Sequence, residues 1–276
     1  MSLLKRRVKI GLALGGGVAR SIAHVGIFKV LEREKIPIDC MAGCSGGSLA
    51  GALYASGVSV EDLERIASTL TWKHIANLAL PNRGFISNKR MLRFLEKNCL
   101  KSRFEDLRIP FSVVATDLMT GEEVIFDRGE LFPAIQASCS IPAIFRPVKI
   151  QGRHYIDGGF VSQIPVRAVR KMGADLVIAC DVNYNEIRNG EPTNLVTLIF
   201  HLLSTVSRKN ALESRQQADI VISVDAHGIG LSELHRGKEI IARGEEATLQ
   251  ILPILKQEIS KRESLVSHTL SKLCHL

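Results

Sequence analysis

Short apolar runs alternate with stretches of helical period along most of the chain. Residues 8–14 form a continuous apolar run, which reads as a buried strand ending in Gly15-Gly16-Gly17. Residues 21–34 set Ile27, Val30 and Leu31 on one helical face, and Pro37 stops that helix. A short apolar strand follows at 38–42, then Ser45 in a tight turn, then a helix at 47–56. That helix is rich in small residues (Gly47, Ala50, Gly51, Ala52, Ala55), so it can approach a sheet closely. Residues 61–100 read as helices and loops broken at Pro81-Asn82-Arg83-Gly84. Strands at 111–117 and 123–126 pair around Thr120-Gly121. Strands at 148–150 and 154–156 flank the turn Gln151-Gly152-Arg153, and Pro165 opens a helix at 166–172. Two further strands, 174–181 and 220–224, enclose a long helical stretch. From 234 to 273 the pattern is helical, with an interruption expected near Pro253.

This alternation predicts an α/β fold, a three-layer α/β/α sandwich with a mostly parallel central sheet. Catalytic groups in such sheets gather at the carboxyl ends of strands. The length, 276 residues, suits one domain over 1–276, with the motifs in about 8–185 and a C-terminal helical segment over about 234–276.

Composition sharpens this only a little. Hydrophobic residues make up 46%, enough for a real core, which sets disorder aside. The net charge is +8, which fits a solvated basic surface or attraction to an anionic membrane. Aromatic residues are only 5%, and no basic block is interleaved with them, so the chain is not read as a nucleic-acid binder. The cysteines form no CxxC pair and no zinc spacing; they read as small buried thiols of a cytoplasmic protein. The basic, apolar start runs into glycines too soon for a signal peptide and reads as the first strand. No carboxylate cluster looks like a calcium loop, so no metal or cofactor is expected.

The chemistry starts with Gly43-Cys44-Ser45-Gly46-Gly47, which fits G-x-S-x-G between a predicted strand and a predicted helix. A sharp strand-to-helix turn exposes the serine Oγ as a nucleophile, and Gly43 and Gly47 permit the strained elbow. The loop Gly15-Gly16-Gly17-Val18-Ala19-Arg20 follows the first strand. It lacks the third glycine of a dinucleotide fingerprint and the Lys-Ser/Thr of a P-loop. With a nucleophile candidate on the next strand, an oxyanion hole fits better than a phosphate site, although such a loop is also an ordinary tight turn. Asp157-Gly158-Gly159 follows a short strand and, taken alone, is equally an ordinary turn.

These three elements, in this order, resemble the patatin-like phospholipases, including the bacterial members and the neuropathy-target-esterase-like group. Arg20 with Ala23-His24-Val25-Gly26 looks like the family's first helix, and Ala137-Ser138-Cys139-Ser140-Ile141-Pro142 continuing to Pro147 looks like its stretch before the aspartate strand. The resemblance implies Ser45 as nucleophile and Asp157 as general base, a dyad without histidine. It implies oxyanion N–H groups from Gly15, Gly16, Gly17 and Val18, and supporting roles for Arg20, Gly158 and Gly159. The implied reaction is hydrolysis of carboxylic esters of lipids through an acyl-enzyme. Such a base must be partly desolvated and hydrogen-bonded to Ser45. The chain departs from the family where Ser21 replaces a glycine after Arg20, and where alignment on Arg20 puts the third family glycine at Val18. Gly46 after the nucleophile makes an unusually flexible elbow.

Other readings compete. His201, His227 and His235 follow Asp157, so a Ser-Asp-His order is formally available, but only one strand precedes that of Ser45. His24 reads as a packing or polar contact. The apolar run 195–206 reads as core, with a lipid or dimer surface as the alternative. The main alternative function is a non-catalytic lipid- or protein-binding regulator on the same fold; a nucleotide-binding loop is a second. The expected partner is a lipid or ester substrate, with an anionic membrane as a peripheral contact; the sequence leaves oligomeric state open.

Overall fold

The computed structural model describes residues 7–75, 89–142, 144–186, 191, 193 and 195–273. The expected break at Pro81–Gly84 and Cys274 lie outside the described residues. The strands are β1 Ile10–Leu14, β2 Cys40–Cys44, β3 Phe111–Asp117, β4 Glu123–Phe126, β5 Val148–Ile150, β6 Arg153–Asp157, β7 Leu176–Tyr184 and β8 Ile220–Asp225. The α-helices are α1 Ala23–Arg33, α2 Gly46–Ala55, α3 Val60–Thr69, α4 Trp72–Ile75, α5 Lys89–Asn98, α6 Leu131–Ser138, α7 Val166–Lys171, α8 Leu195–Gln217 and α9 Gly237–Leu273.

The strands join in one sheet, with β8, β7, β1, β2 and β3 side by side and parallel. The pairing of β3 decides where the site lies. On one edge, Val114 and Ala115 face Ile125 and Val124 of β4. On the other edge, Val114 pairs with Cys44 of β2, while Ala115 pairs with Asp157 of β6, which runs antiparallel. Two strands therefore share that edge and meet end to end. The last residue of β2 and the last residue of β6 become neighbours, although they are far apart in the chain.

Pleating sorts the core into two layers. Ile10, Leu12 and Leu14 of β1 pack with Ile27, Leu31 and Ile241 on the face covered by α1, α2, α3 and α9. Ala13 faces Ile164, Val166 and Val169, on the side of α7 and α8. Small residues set the close approaches. A Cβ on Gly26 would lie 2.1 Å from the Ile241 carbonyl oxygen, and one on Gly244 would lie 2.1 Å from that of Ala23, so α1 and α9 cross backbone to backbone. A Cβ on Gly47 would meet the Leu14 carbonyl oxygen at 2.3 Å, which is the close packing of α2 on the sheet that its composition predicts.

Two expectations need correction. The helix over 237–273 is not interrupted at Pro253. The ring is exposed, and the Leu249 carbonyl it deprives of a donor belongs to an exposed residue, where water can take over. The apolar run at 195–206 is not core for its described side chains: Leu198, Leu202 and Val206 are 41%, 59% and 40% exposed, on the outer face of α8 at i, i+4 and i+8. Toward the site α8 carries polar groups among apolar ones, with Asn210 Nδ2 donating to the Phe160 carbonyl at 2.7 Å. Among the described residues no helix is long and apolar enough to cross a membrane.

Candidate active site

β2 ends at Cys44 and α2 begins at Gly46, so Ser45 makes the turn alone. Its φ of 49° and ψ of −127° lie where a side chain is strained, a conformation that persists only when neighbours enforce it. The neighbours are visible. Ser45 N–H donates to Ser138 Oγ at 2.8 Å, and that hydroxyl donates to the Val114 carbonyl at 2.6 Å. Ser48 Oγ donates to the Ser45 carbonyl at 2.6 Å. A Cβ on Gly43 would lie 2.5 Å from Ser48 Cα, so the glycine before the elbow is required by contact.

The hydroxyl of Ser45 donates to Asp157 Oδ2 at 2.7 Å. Asp157 Oδ1 accepts the Gly159 N–H at 2.8 Å, and the Asp157 carbonyl accepts Thr116 Oγ1 at 2.8 Å. Both dyad side chains are buried. Burial pushes the Asp157 carboxyl up from 3.8 to about 6, against the opposing pull of the Gly159 N–H and the Ser45 hydroxyl. The desolvation required of this carboxylate is thus present. A Cβ on Gly158 would lie 2.4 Å from the Val114 carbonyl oxygen, so β6 can press its end against β3 only with glycine there. Cys44 and Cys139 lie beside the carboxylate, but burial pushes the Cys139 thiol up to about 12 and that of Cys44 well above its ordinary value, so neither competes as a nucleophile.

The glycine loop divides its donors. Gly15 N–H is spent on the Cys180 carbonyl and Gly16 N–H on the Gln163 carbonyl, each at 3.1 Å. Among the described residues, no acceptor lies against the N–H of Gly17 or Val18. The Gly16 carbonyl accepts Gln163 Nε2 at 2.6 Å and Asn183 Nδ2 at 2.7 Å. In a trans peptide the Gly17 N–H points opposite to that carbonyl, so the two amides fix its direction. The loop backs onto the nucleophile: a Cβ on Gly16 would lie 3.0 Å from Ser45 Cβ. Val18 holds a φ of 50°, strained for a β-branched residue.

Arg20 is buried and does not face a cavity. Its Nε and Nη2 donate to the Ile229 carbonyl at 2.9 and 2.6 Å, and Nη1 reaches Asn183 Oδ1 at 3.1 Å and the Glu186 carboxylate at 3.0 Å. It ties the loop to the segments after β7 and β8. His24 donates Nε2–H to the Gly15 carbonyl at 2.8 Å, and burial pushes it down to about 4, which keeps it a neutral donor. Among the described residues no histidine hydrogen-bonds to Ser45 or Asp157. Gln163, Asn183, Ser138 and Thr116 were not singled out by sequence reasoning. Their roles arise from contacts across the sheet, although Ser138 stands in a stretch with recognisable pattern. A cavity of about 420 Å³ opens above the dyad, with Asn183, Phe160 and Arg208 in its walls.

A family model described as patatin-like phospholipase matches residues 12–170, which holds the glycine loop, the elbow and Asp157. The chain belongs to the patatin-like phospholipase family. It is 34% identical over 190 residues to an uncharacterized NTE family protein of Mycobacterium tuberculosis, a match over 67% of this chain and 52% of that one. It is 29% identical over 225 residues to a lysophospholipase, NTE1, of Pyricularia oryzae, covering 79% of this chain and 15% of that protein. The chain thus spans about half the length of the mycobacterial relatives it matches. Its fold is similar to the crystal structure of VipD from Legionella pneumophila, with a TM-score of 0.53 at 15% identity over 90% of this chain and 67% of that one.

Ser21, where the patatin-like pattern has a glycine, packs against the residue after Ser45. A Cβ on Gly46 would lie 2.4 Å from Ser21 Oγ and 2.7 Å from Ser21 Cβ. The serine that replaces a family glycine occupies the space that a side chain after the nucleophile would need.

Proposed function

We propose that this chain is a single-domain serine acyl hydrolase that cleaves carboxylic esters of lipids, phospholipid or lysophospholipid, through the Ser45–Asp157 dyad. The observation that carries the reading is the 2.7 Å hydrogen bond from Ser45 Oγ to the buried Asp157 carboxylate. Asp157 takes the serine proton as Oγ attacks the ester carbonyl. The oxyanion that forms meets the N–H groups of Gly17 and Val18, which are open in the described structure. The alcohol leaves with the proton from Asp157. Water then gives a proton to the same carboxylate as it attacks the acyl-enzyme, and Ser45 departs carrying that proton back. The name of the fungal relatives makes lysophospholipid the first substrate to test.

An anionic membrane is the peripheral partner we propose. The exposed apolar stripe Leu198, Leu202 and Val206 is continued along α8 by Lys209, and the same helix walls the cavity. The free thiols of Cys40, Cys44, Cys99, Cys139 and Cys180 fit the reducing cytoplasm.

Fluorophosphonate labelling with peptide mapping tests the dyad, together with lysophospholipid hydrolysis by wild type, Ser45→Ala and Asp157→Asn. Labelling at Ser45 and loss of turnover by about a thousandfold or more in both variants is expected. An unlabelled Ser45, with variants as active as wild type, would overturn the reading.

A further inference from the structure

Ser45 stands where two cavities meet, one of mixed lining and one apolar. One is the cavity above the dyad, which Asp157, Asp181, Asn183 and Arg215 help to line. The other is a slot of about 100 Å³ walled from α2, α3 and α5 by Leu49, Ala50, Leu53, Ile66 and Phe94. No charged side chain lines the slot among the described residues. Val18, Ser45 and Ile141 border both spaces, whereas Asp157 borders the larger one and not the slot.

We propose that the slot holds the acyl chain of the substrate, and that the larger cavity, where Asp157 lies, receives the leaving alcohol and admits the hydrolytic water. The inference rests on the acyl-hydrolase reading and adds a direction to it. Proton transfer supplies the argument. The proton that Asp157 takes from Ser45 must reach the alcohol oxygen as the C–O bond breaks, so that oxygen has to lie on the side of the carboxylate. The water that later attacks the acyl carbon loses its proton to the same carboxylate, so it occupies the place the alcohol vacated. The acyl group must leave that side clear throughout. The remaining space that touches Ser45 is the slot, and its apolar walls suit methylenes. The charged and amide groups set among the apolar walls of the larger cavity suit a glycerol backbone and head group. Arg215 there is already engaged, donating to Asp181 at 2.8 Å and lying over the Tyr184 ring at 4.9 Å, so the wall is held in shape before a ligand arrives.

Residues of α2 and α3 then set acyl length, and residues of α8 do not. Ala50→Trp and Ile66→Trp fill the slot from two different helices, and Leu212→Trp alters the wall of the larger cavity. Each variant is checked for folding by its melting curve, and p-nitrophenyl decanoate and acetate are compared. The leaving group is the same in both esters, so its cavity cancels from the ratio of their kcat/KM values. The decanoate-to-acetate ratio is expected to fall about tenfold or more in each folded slot variant. In Leu212→Trp it is expected to stay close to wild type. The proposal is overturned if folded slot variants keep the wild-type ratio, or if Leu212→Trp is the variant that lowers it. A wild type that hydrolyses neither ester, with Ser45 unlabelled, would instead sink the acyl-hydrolase reading and this inference with it.

Discussion

At Gly46 the elbow tolerates no side chain while Ser21 is present, because the two would lie within 2.7 Å. Gly46→Ala should therefore lower ester hydrolysis, and Ser21→Gly in the same chain should restore much of it. A double-mutant cycle is expected to show coupling of about 1 kcal/mol or more; additive effects would mean that the contact does not matter. In the proposed mechanism Asp157 governs the pH response. Its carboxyl, held at about 6 by burial, must be ionised to accept a proton, so kcat/KM should rise as pH passes about 6 and level off above it. The same shift acts on stability. Folding favours the protonated carboxyl, so its contribution is full below the ordinary 3.8 and is lost as pH rises through about 6. Asp157→Asn should consequently melt above wild type at about pH 8, with the gap closing towards pH 4. Equal melting at both ends would show that the carboxylate is not held out of water. His24 works in the other direction. It folds neutral with its ordinary 6.5 lowered to about 4, so its contribution is lost as pH falls through that window.

At the scale of elements, local patterns were readable and long-range ones were not. The strands Phe111–Asp117, Glu123–Phe126 and Val148–Ile150 have the bounds that their hydrophobic runs predict. Ser45 was legible because a strand, a small-residue turn and a helix lie within a few residues of it. The commitment of the Gly15 and Gly16 N–H groups was not legible, since their acceptors belong to Cys180 and Gln163 on distant segments. The shared edge of β3 was equally hidden: periodicity tells that a strand exists, not which strand it joins. The exposure of α8 also escaped, because an apolar run does not reveal which of its faces meets a partner. That face has a measurable consequence under the membrane reading. Replacing Leu198 and Leu202 together by glutamine should weaken sedimentation with phosphatidylserine vesicles roughly tenfold. The melting temperature should hardly move, since both side chains are already exposed. Unchanged vesicle binding would remove α8 as the contact.

For the molecule as a whole, the dyad is a product of tertiary assembly. Ser45 is fixed by the end of β2 and Asp157 by the end of β6, and β3 brings these two ends together. The helices behind the sheet hold that arrangement from one side, with α1 and α9 crossing at Gly26 and Gly244. Gly244→Val should thus cost stability on the scale of an overpacked core, about 1–3 kcal/mol in a denaturant titration, although it touches neither Ser45 nor Asp157.

The end-to-end meeting of β2 and β6 also makes the protein divisible in a useful way. Between β3 and β4 the chain passes through an exposed turn at Thr120 and Gly121, where a Cβ on the glycine would touch nothing within 4 Å. A cut there leaves Ser45 on one polypeptide and Asp157 on the other. Under the proposed mechanism neither half alone could turn over an ester, and hydrolysis would appear only as the halves find each other and rebuild the edge of β3. The rate would then count encounters between two fragments, which turns a folding contact into a reporter of proximity.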